Sequence, residues 1–508
     1  KTRNSFHYNI LFPNSICFGR KKFECRNLFF LLTMTFSYIR YADFRSEKCK
    51  FQFKNKKSRF RTLLILRHML YYVLLRQRLP LLLPQWCILQ DGIKKLSFVQ
   101  AEPDKGGSVM PRTISEKARR IAPSATLAMD AKAKALKAQG VSVVSFAAGE
   151  PDFDTPLPIR NAMKDAMDQN MTRYTPVGGT AELKEAIIHR FEEDHGLHYD
   201  PQEIIVSNGA KHSLYTLFQT ILDPGDEVII PTPCWVSYPE MVRMAGGTPV
   251  FVEMKKEHGF VPTNGEILAA ITSRTKAFLL TSPNNPTGCV WNRKQMENVM
   301  QLAVEHDFFI VSDEIYEKLL YTGEKPCSIA SLSEEAKAHT LVVNGVSKSY
   351  AMTGFRIGYT AGPRDVIKAM TNYQSQATSA PNSAAQHAAA VALSGDQACV
   401  ETMRQAFQQR RDRIVERINA IPGLSCNKPD GAFYVMMDVR PLLGKKIDGQ
   451  VIATSSDFAN ALLEKQHAVV VPGESFLADG FCRLSYATSM EAIEEGMNRL
   501  ANFVKELN

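Results

Sequence analysis

The sequence predicts an α/β protein in which helices sandwich a mainly parallel sheet in a large domain, followed by a smaller α+β domain. From Thr180 onward, stretches with helical periodicity alternate with short apolar runs rich in β-branched residues. This alternation is typical of strand–helix–strand units, whose crossover helices lie on the faces of a parallel sheet. After a long polar helix predicted at residues 396–419, the chain changes to shorter strands around one helix. We therefore place a domain boundary near that helix.

The large domain is predicted over residues 151–395. Leu183, Ile187 and Phe191 recur on one face of a helix that ends at Gly196. Residues 203–222 read as a strand, a tight turn and a helix. Further strands are predicted at residues 226–231, 248–254, 276–283, 308–314, 339–347 and 355–363, with crossover helices such as 293–307 between them.

The smaller domain is predicted over residues 396–508 and begins with the long helix. Its strands are predicted at residues 431–439, 468–476 and 481–489, and a further helix near 456–465. Residues 110–150 are assigned to an N-terminal arm and to a further part of this smaller domain.

Charge divides the chain into two pieces of opposite sign. Of the 508 residues, 45% are hydrophobic and 22% charged, which excludes collagen, a disordered chain and a disulfide-rich miniprotein. Residues 1–109 carry 21 Lys and Arg against 6 Asp and Glu, whereas residues 110–508 carry 40 against 46. The acidic main body argues against nucleic-acid binding there. The ten cysteines form no CxxC pair, which indicates reduced thiols in a cytoplasmic enzyme.

The basic leader, residues 1–109, has apolar blocks mixed with unpatterned basic residues and no helix caps. We expect it to be disordered, a targeting segment, or upstream sequence outside the working protein, which would begin at Met110. An organelle is the alternative compartment if the leader is a transit segment. Its most apolar window, residues 62–89, is interrupted by Arg67, Arg76 and Arg78, so no membrane span is predicted.

Three short motifs carry candidate chemistry. The turn at residues 207–213 lies between a predicted strand and helix and suits an anion, although an ordinary turn explains it equally well alone. Asp313 ends an apolar strand, with Tyr316 three positions on; a capping Asp is the alternative. Lys348 follows another strand, and Arg356 comes eight positions later. The alternative interpretation of Lys348 is an ordinary solvated lysine on the surface. No metal site is predicted.

The combination is more specific than its parts, because an anion turn, a buried acid, a phenol and a Lys/Arg pair are what pyridoxal phosphate requires. Residues 110–508 closely resemble the class I aminotransferases of fold type I, in the aspartate aminotransferase branch of bacteria and plastids. The matching runs are AAGEPDFDTP, RYTPVGGTAELKEAI, SNGAKHS, PCWVSYPEM, SPNNPTG, VSDEIYEKLLY, NGVSKSYAMTGFRIGY, GAFYVMMD and FCRLSYATS.

The resemblance implies catalytic roles. Lys348 would hold the cofactor as a Schiff base and then move the proton of the substrate. Asp313 would keep the pyridine nitrogen protonated, and Tyr316 with Asn285 would hydrogen-bond the ring oxygen. Trp235 would stack on the ring and border the substrate.

The resemblance also implies binding residues. The cofactor phosphate would be held by Gly209, Ala210, Lys211, Arg356 and, from the neighbouring subunit of a homodimer, Tyr174. Relatives often have Tyr where this chain has Cys234, and a hydroxyl where it has Gly345, which leaves Ser347 as a substitute ligand. The substrate would be bound by Arg483 with Asn285 and Gly149, and its distal carboxylate by Lys211 with Ser124 and Thr126.

The resemblance therefore implies transfer of the amino group of L-aspartate to 2-oxoglutarate by ping-pong transamination, with the cofactor alternating between its pyridoxal and pyridoxamine forms. Its partners would be small amino and keto acids, with neither nucleic acid nor membrane expected. Prephenate transamination is the nearest alternative. A transcription regulator that joins a DNA-binding module in residues 1–109 to an aminotransferase-like domain is a remote one.

Overall fold

The computed structural model describes residues 16–18, 21–23, 113–119, 121 and 125–508. The chain divides into two units, residues 1–112 and 113–508. In the first unit, β1 (Ile16–Phe18) and β2 (Lys21–Phe23) pair antiparallel, with Ile16 opposite Phe23. The expectations about the rest of the leader, including the alternative of a DNA-binding module, lie outside the described residues.

The second unit contains a large sheet, smaller sheets and the helices that pack on them. Its strands are β3 (Val144–Ser145), β4 (Ile204–Ser207), β5 (Glu227–Thr232), β6 (Thr248–Glu253), β7 (Thr275–Thr281), β8 (Phe309–Asp313), β9 (Thr340–Gly345), β10 (Gly358–Ala361), β11 (Ser425–Cys426), β12 (Tyr434–Asp438), β13 (Lys446–Ile447), β14 (Gln450–Val451), β15 (Ala468–Val469), β16 (Val471–Pro472) and β17 (Phe481–Ser485). Its helices are α1 (Glu116–Arg119), α2 (Ala125–Ala138), α3 (Leu157–Asp168), α4 (Ala181–His195), α5 (Ala210–Ile221), α6 (Ser237–Ala245), α7 (Asn264–Ala270), α8 (Arg293–His306), α9 (Glu334–His339), α10 (Arg364–Ala377), α11 (Ser383–Ser394), α12 (Ala398–Asn419), α13 (Ser455–Gln466) and α14 (Met490–Glu506).

The large sheet has seven strands in the order β4-β10-β9-β8-β7-β5-β6. All are parallel except β10, which runs antiparallel between β4 and β9. Strands β4, β5 and β9 are buried along their whole length, because helices cover both faces of the sheet. The predicted α/β class with a mainly parallel sheet is confirmed.

Alternate residues of one strand enter different cores on the two faces of this sheet. Ile204 packs in one cluster with Leu183 and Ile187 of α4, the apolar helix face that the sequence predicts. Ile205, the next residue, packs in another cluster with Leu214 of α5. This twofold alternation is the geometry of a strand buried on both sides.

The antiparallel sheet β11-β12-β17-β16 lies at the C-terminal end of the chain. The sequence predicts one strand over residues 468–476, but the structure has two: β15 pairs in parallel with β3, and β16 pairs with β17. The pairing partner thus changes between β15 and β16. Because β3 comes from the distant N-terminal segment, no local pattern in residues 468–476 predicts this change. The domain limits at residues 150 and 395 stay a prediction, and the long helix α12 begins at Ala398.

Two expectations about the chain as a whole are tested only over the part that the structure describes. There the cysteines are unpaired; they are Cys234, Cys289, Cys327, Cys399, Cys426 and Cys482. No helix within the described ranges combines the length and the apolar character that a membrane crossing requires.

The packing of α14 on the N-terminal segment makes a testable prediction. A Cβ at Gly496 would overlap the ring of Phe146. The backbone of Phe146 is held in place, because its N–H donates to the carbonyl of Val469 and its carbonyl accepts from the N–H of Ser485. Alanine is normally favoured over glycine inside a helix by about 1 kcal/mol, but overpacking costs about 1–3 kcal/mol. We expect Gly496→Ala to lower the thermal midpoint. Gly265→Ala in α7 is the matched control, since a Cβ there meets nothing within 4 Å. Equal midpoints for the two variants would contradict the packing argument.

Candidate active site

The candidate residues collect where parallel strands of the large sheet end. The turn after β4 contains Gly209, β8 ends at Asp313, and Lys348 follows β9. Asn285 comes four residues after the end of β7. Since these strands are parallel, their carboxyl ends meet at one edge of the sheet, which is where open α/β sheets bind ligands.

Lys348 is held at this edge by a main-chain contact that the sequence does not reveal. Its Nζ donates to the carbonyl of Gly149 at 2.5 Å. Burial lowers the pKa of Lys348 to about 8; the carboxylate of Glu150 opposes this, while Arg356 and Arg483 lower the pKa further. A lysine with a pKa near neutrality has enough free amine to attack a carbonyl carbon.

Asp313 is 4% exposed and lies within a short hydrogen-bond chain. Tyr238 donates its hydroxyl to Asp313 Oδ2 at 2.7 Å, and Thr281 donates to the Tyr238 hydroxyl at 3.0 Å. Burial raises the pKa of Asp313 to about 6, against the hydrogen bonds from Tyr238 and the N–H of Ile315 and the charge of Lys348. A carboxylate in this setting gains from a cationic group brought beside it.

The turn after β4 is shaped as an anion cradle. Gly209 has φ 87° and precedes α5, so the N–H groups at the helix start point towards the turn. A Cβ at Gly209 would overlap the guanidinium of Arg356, which explains the need for glycine there. Arg356 donates from Nη1 to the carbonyl of Thr353 at 2.8 Å. Ala210, which the sequence analysis also assigns to the phosphate, packs closely against β10. A Cβ at Gly358 of that strand would overlap the N atom of Ala210.

Arg483 is the most buried cation of the site, at 2% exposure. It donates from Nη1 to Asn285 Oδ1 and from Nη2 to the carbonyl of Ala147, both at 3.1 Å. Its Nε has no hydrogen-bond partner among the described residues. The main-chain partner of Arg483 is thus Ala147, while the carbonyl of Gly149 accepts from Lys348; the role of Gly149 in binding the substrate carboxylate stays a prediction.

A pair of tyrosines and a lysine–tryptophan pair border the site. The hydroxyls of Tyr316 and Tyr434 are 3.0 Å apart, and the guanidinium of Arg483 lies 4.4 Å from the centre of the Tyr434 ring. The Nζ of Lys211 lies 4.7 Å from the centre of the Trp235 ring. Lys211 is thus positioned by a cation–π contact, and burial, together with the charge of Arg356, lowers its pKa.

Other predicted residues are not assembled into the site by one chain. Tyr174 is 96% exposed. Ser124 lies outside the described residues, and Thr126 lies in α2 without a described side chain. Ser347 is buried directly before Lys348.

Sequence reasoning missed several residues that the structure brings to the site. Tyr238, Tyr434, Ala147 and Glu150 were not assigned roles. Tyr238 and Tyr434 lie within the runs PCWVSYPEM and GAFYVMMD, so the signal was present in the sequence. For Ala147 the contact is made by a carbonyl group, which every residue has, so no side-chain pattern could indicate it.

Comparison with known proteins places the chain in a family. The family model described as Aminotransferase class I and II matches residues 141–500. An aspartate aminotransferase of Bacillus sp. (strain YM-2) is 50% identical over 396 residues, covering 78% of this chain and all of that protein. An aspartate/prephenate aminotransferase of Thermus thermophilus is 48% identical, covering 77% and 98%. The crystal structure of the aspartate aminotransferase from Rhizobium meliloti superposes with a TM-score of 0.76 at 43% identity, covering 78% and 100%. This chain therefore belongs to the class I and II aminotransferases and is an aminotransferase.

Proposed function

We propose that the enzyme transfers the amino group of L-aspartate to 2-oxoglutarate, which gives oxaloacetate and L-glutamate. The observation that carries the proposal is the buried guanidinium of Arg483, which bonds Asn285, has no partner for its Nε among the described residues, and lies near enough to the Lys348 amine to lower its pKa. A carboxylate bound there would bring an amino acid beside a reactive amine. Relatives named aspartate aminotransferase, which match at 47–50% identity, support the choice of substrate.

The residues of the site fit pyridoxal phosphate. The phosphate would be held by the turn at Gly209 and by Arg356, whose guanidinium occupies the space that a Cβ at residue 209 would take. Asp313, whose partners are two neutral donors, would hold the protonated ring nitrogen. Tyr316, Asn285, Trp235 and Ser347 would complete the pocket. The bound cofactor supplies an aldehyde that condenses with amines and a ring that accepts an electron pair.

The side chains then divide the work between binding and proton transfer. Arg483 grips the α-carboxylate and so orients the α-carbon of the substrate towards Lys348. Lys348, as a free amine, removes the proton of the α-carbon and holds it on Nζ. Asn285 keeps Arg483 in place through its Oδ1. Lys211, poised over Trp235, would pair with the distal carboxylate, together with Ser124 and Thr126 of a neighbouring subunit.

We also propose that the enzyme is a homodimer of the cytoplasm. Tyr174 is nearly fully exposed, although the resemblance gives it a phosphate contact, so a second chain would have to supply it. A shared site is consistent with the isologous pairing of most soluble homodimers. The unpaired cysteines of the described segment favour a reducing compartment.

Prephenate is a second candidate acceptor. The Thermus thermophilus relative is named an aspartate/prephenate aminotransferase at 48% identity. Prephenate carries two carboxylates, so Arg483 and Lys211 would serve it as they serve 2-oxoglutarate. Steady-state kcat/KM for both acceptors, with L-aspartate as donor, decides between a dedicated and a dual enzyme.

Removal of the reactive amine tests the proposal directly. We expect Lys348→Ala to lose at least about 10⁴-fold in turnover, because both the covalent link and the proton carrier disappear. Conversion of L-aspartate and 2-oxoglutarate is followed by the oxaloacetate formed. Lys184→Ala is the matched control, since Lys184 is another partly buried lysine with a lowered pKa, and its Nζ donates to the carbonyl of Pro201 and to none of the site residues. Near-normal turnover in Lys348→Ala would refute the assignment.

The planar fork of Arg483 makes a second prediction. Arg483→Lys keeps the charge but removes the bidentate geometry, so we expect kcat/KM for L-aspartate to fall by roughly 10²-fold or more. Arg411→Lys is the control, because Arg411 is equally buried and bonds the carbonyl of Pro429 outside the site. If both variants lose activity to the same extent, the loss reflects burial of a cation and not substrate binding.

The pKa of Lys348 near 8 predicts a pH profile for cofactor uptake. Only the neutral amine attacks an aldehyde, so uptake of pyridoxal phosphate by cofactor-free protein should rise about tenfold per pH unit below the pKa and level off above it. Glu150→Gln removes a charge that favours the ammonium form, which lowers the pKa and moves the midpoint to lower pH. Asp152→Asn, at an acid that pairs with Arg410, should leave the midpoint unchanged. A midpoint that rises in Glu150→Gln would contradict the electrostatic argument.

A further inference from the structure

A buried group of potential metal ligands lies behind the catalytic turn. His195 ends α4, and Glu314 and Glu317 follow β8 on the segment that carries Asp313 and Tyr316. A ring nitrogen of His195 and one oxygen from each carboxylate lie within 4.8 Å of one another, the one such group found among the described residues. The side chain of His195 is 2% exposed, and Glu314 is 4% exposed.

The polar atoms of this group are only partly satisfied. Glu314 Oε1 accepts from the hydroxyls of Ser312 at 2.8 Å and Ser328 at 2.7 Å. His195 Nε2 and Glu317 Oε2 are 2.7 Å apart. Glu314 Oε2 and His195 Nδ1 are both buried and have no hydrogen-bond partner in the described part of the chain. Native proteins rarely leave such atoms unpaired, so the orphan Oε2 of Glu314, beside the His195–Glu317 pair, points to a missing ligand.

Charge indicates that the ligand is a cation. Two carboxylates share the burial with one imidazole, so even a protonated His195 leaves one negative charge. The nearby Lys318 forms an ion pair with Asp194. Burial raises the pKa of Glu314 to about 7, so a proton is the competing occupant. A proton on Oε2 would, however, face no acceptor, whereas a divalent cation between Glu314, Glu317 and the Nε2 side of His195 would neutralise both carboxylates and bond the orphan Oε2 of Glu314.

We propose that His195, Glu314 and Glu317 bind one divalent transition-metal cation of the zinc class. One imidazole and two carboxylates are a donor set that Zn²⁺ accepts, with bonds of about 2.0–2.2 Å. Such bonds draw ligand atoms to about 3.4 Å from one another, so loading requires side-chain shifts of about 1 Å. Glu317 also lines a cleft of about 840 Å³ beside Arg190 and Lys318, so one of the three ligands borders a surface cleft.

The site would act through the turn that it braces. Glu314 directly follows Asp313, and Glu317 directly follows Tyr316. The N–H of Glu314 bonds to Val343, and that of Glu317 bonds to the carbonyl of Glu314, so the turn is already compact. A cation that ties this turn to the end of α4 would stabilise the native state by binding it selectively. The ion is structural and takes no part in transamination.

The test is zinc binding to the full-length holoenzyme. Wild-type protein is freed of metal with a chelator, and Zn²⁺ is titrated in competition with a chromophoric chelator. We expect Glu314→Gln and His195→Gln each to bind one Zn²⁺ fewer per chain than wild type, or to bind that ion at least about 100-fold more weakly. Zn²⁺ should raise the thermal midpoint of wild type and not that of either variant. Mg²⁺ should not raise the thermal midpoint of wild type or of either variant, because it prefers octahedral oxygen ligands.

His198→Gln is the matched control. His198 is close in sequence and lies 3.7 Å from Glu192, but both side chains are exposed. This variant should bind zinc as wild type does. The proposal is overturned if Glu314→Gln and His195→Gln keep the wild-type zinc stoichiometry and affinity, or if Zn²⁺ raises every midpoint equally. If one variant does not fold, the other decides, and transaminase activity of the metal-free enzyme tests the proposed function separately.

Discussion

The parallel alignment of the strands in the large sheet is the constraint on which the active site depends. In the ladder between β7 and β8, Thr281 lies opposite Asp313, and in the ladder between β8 and β9, Asp313 lies opposite Val343. This register brings the last residues of β7 and β8 level with Val343, two residues before the end of β9, so the loops that follow the three strands start from one edge. The chain from Thr281 through Tyr238 to Asp313 exists only because these ends are aligned. A shift by one residue would also turn Asp313 to the opposite face of the sheet.

The second half of the site comes from the antiparallel sheet at the C-terminal end. Arg483 lies opposite Met436 in the ladder between β12 and β17, and its guanidinium reaches Asn285 of the large sheet. The N-terminal segment closes the gap: Ala147 accepts from Arg483, and Gly149 accepts from Lys348. One short extended segment thus fixes both the cation that binds the carboxylate and the amine that reacts. Both residues are positioned by main-chain carbonyls of this segment. The contacts therefore depend on where the backbone lies and little on which side chains the segment carries.

Burial of charge is what makes the site reactive, and it requires compensation. Burial raises the pKa of Asp313 and lowers the pKa of Lys348, so both pKa values lie closer to 7 than those of the free side chains. A pKa near 7 suits Lys348 to proton transfer. Hydrogen bonds from Tyr238 and the nearby charge of Glu150 limit these shifts. The neighbouring Glu314 is compensated only in part: its Oε1 accepts from two serine hydroxyls, whereas its buried Oε2 has no partner within the described residues. That contrast between two neighbouring carboxylates is the reason for inferring a bound cation there.

The sequence by itself determined the α/β class, the strand and helix that flank the anion turn, and the residue types that carry the chemistry. These features are local or periodic: Leu183, Ile187 and Gly196 define a helix without reference to the rest of the chain. The tertiary structure alone decided that residues 468–476 split between two sheets, that Tyr238 bonds to Asp313, and that the carbonyl of Ala147 bonds to Arg483. The pairing of β15 with β3, the Tyr238–Asp313 bond and the Ala147–Arg483 bond each join positions more than 70 residues apart, and two of them use backbone groups that every residue shares. Their partners are selected by packing and strand register, which no local pattern in the sequence records.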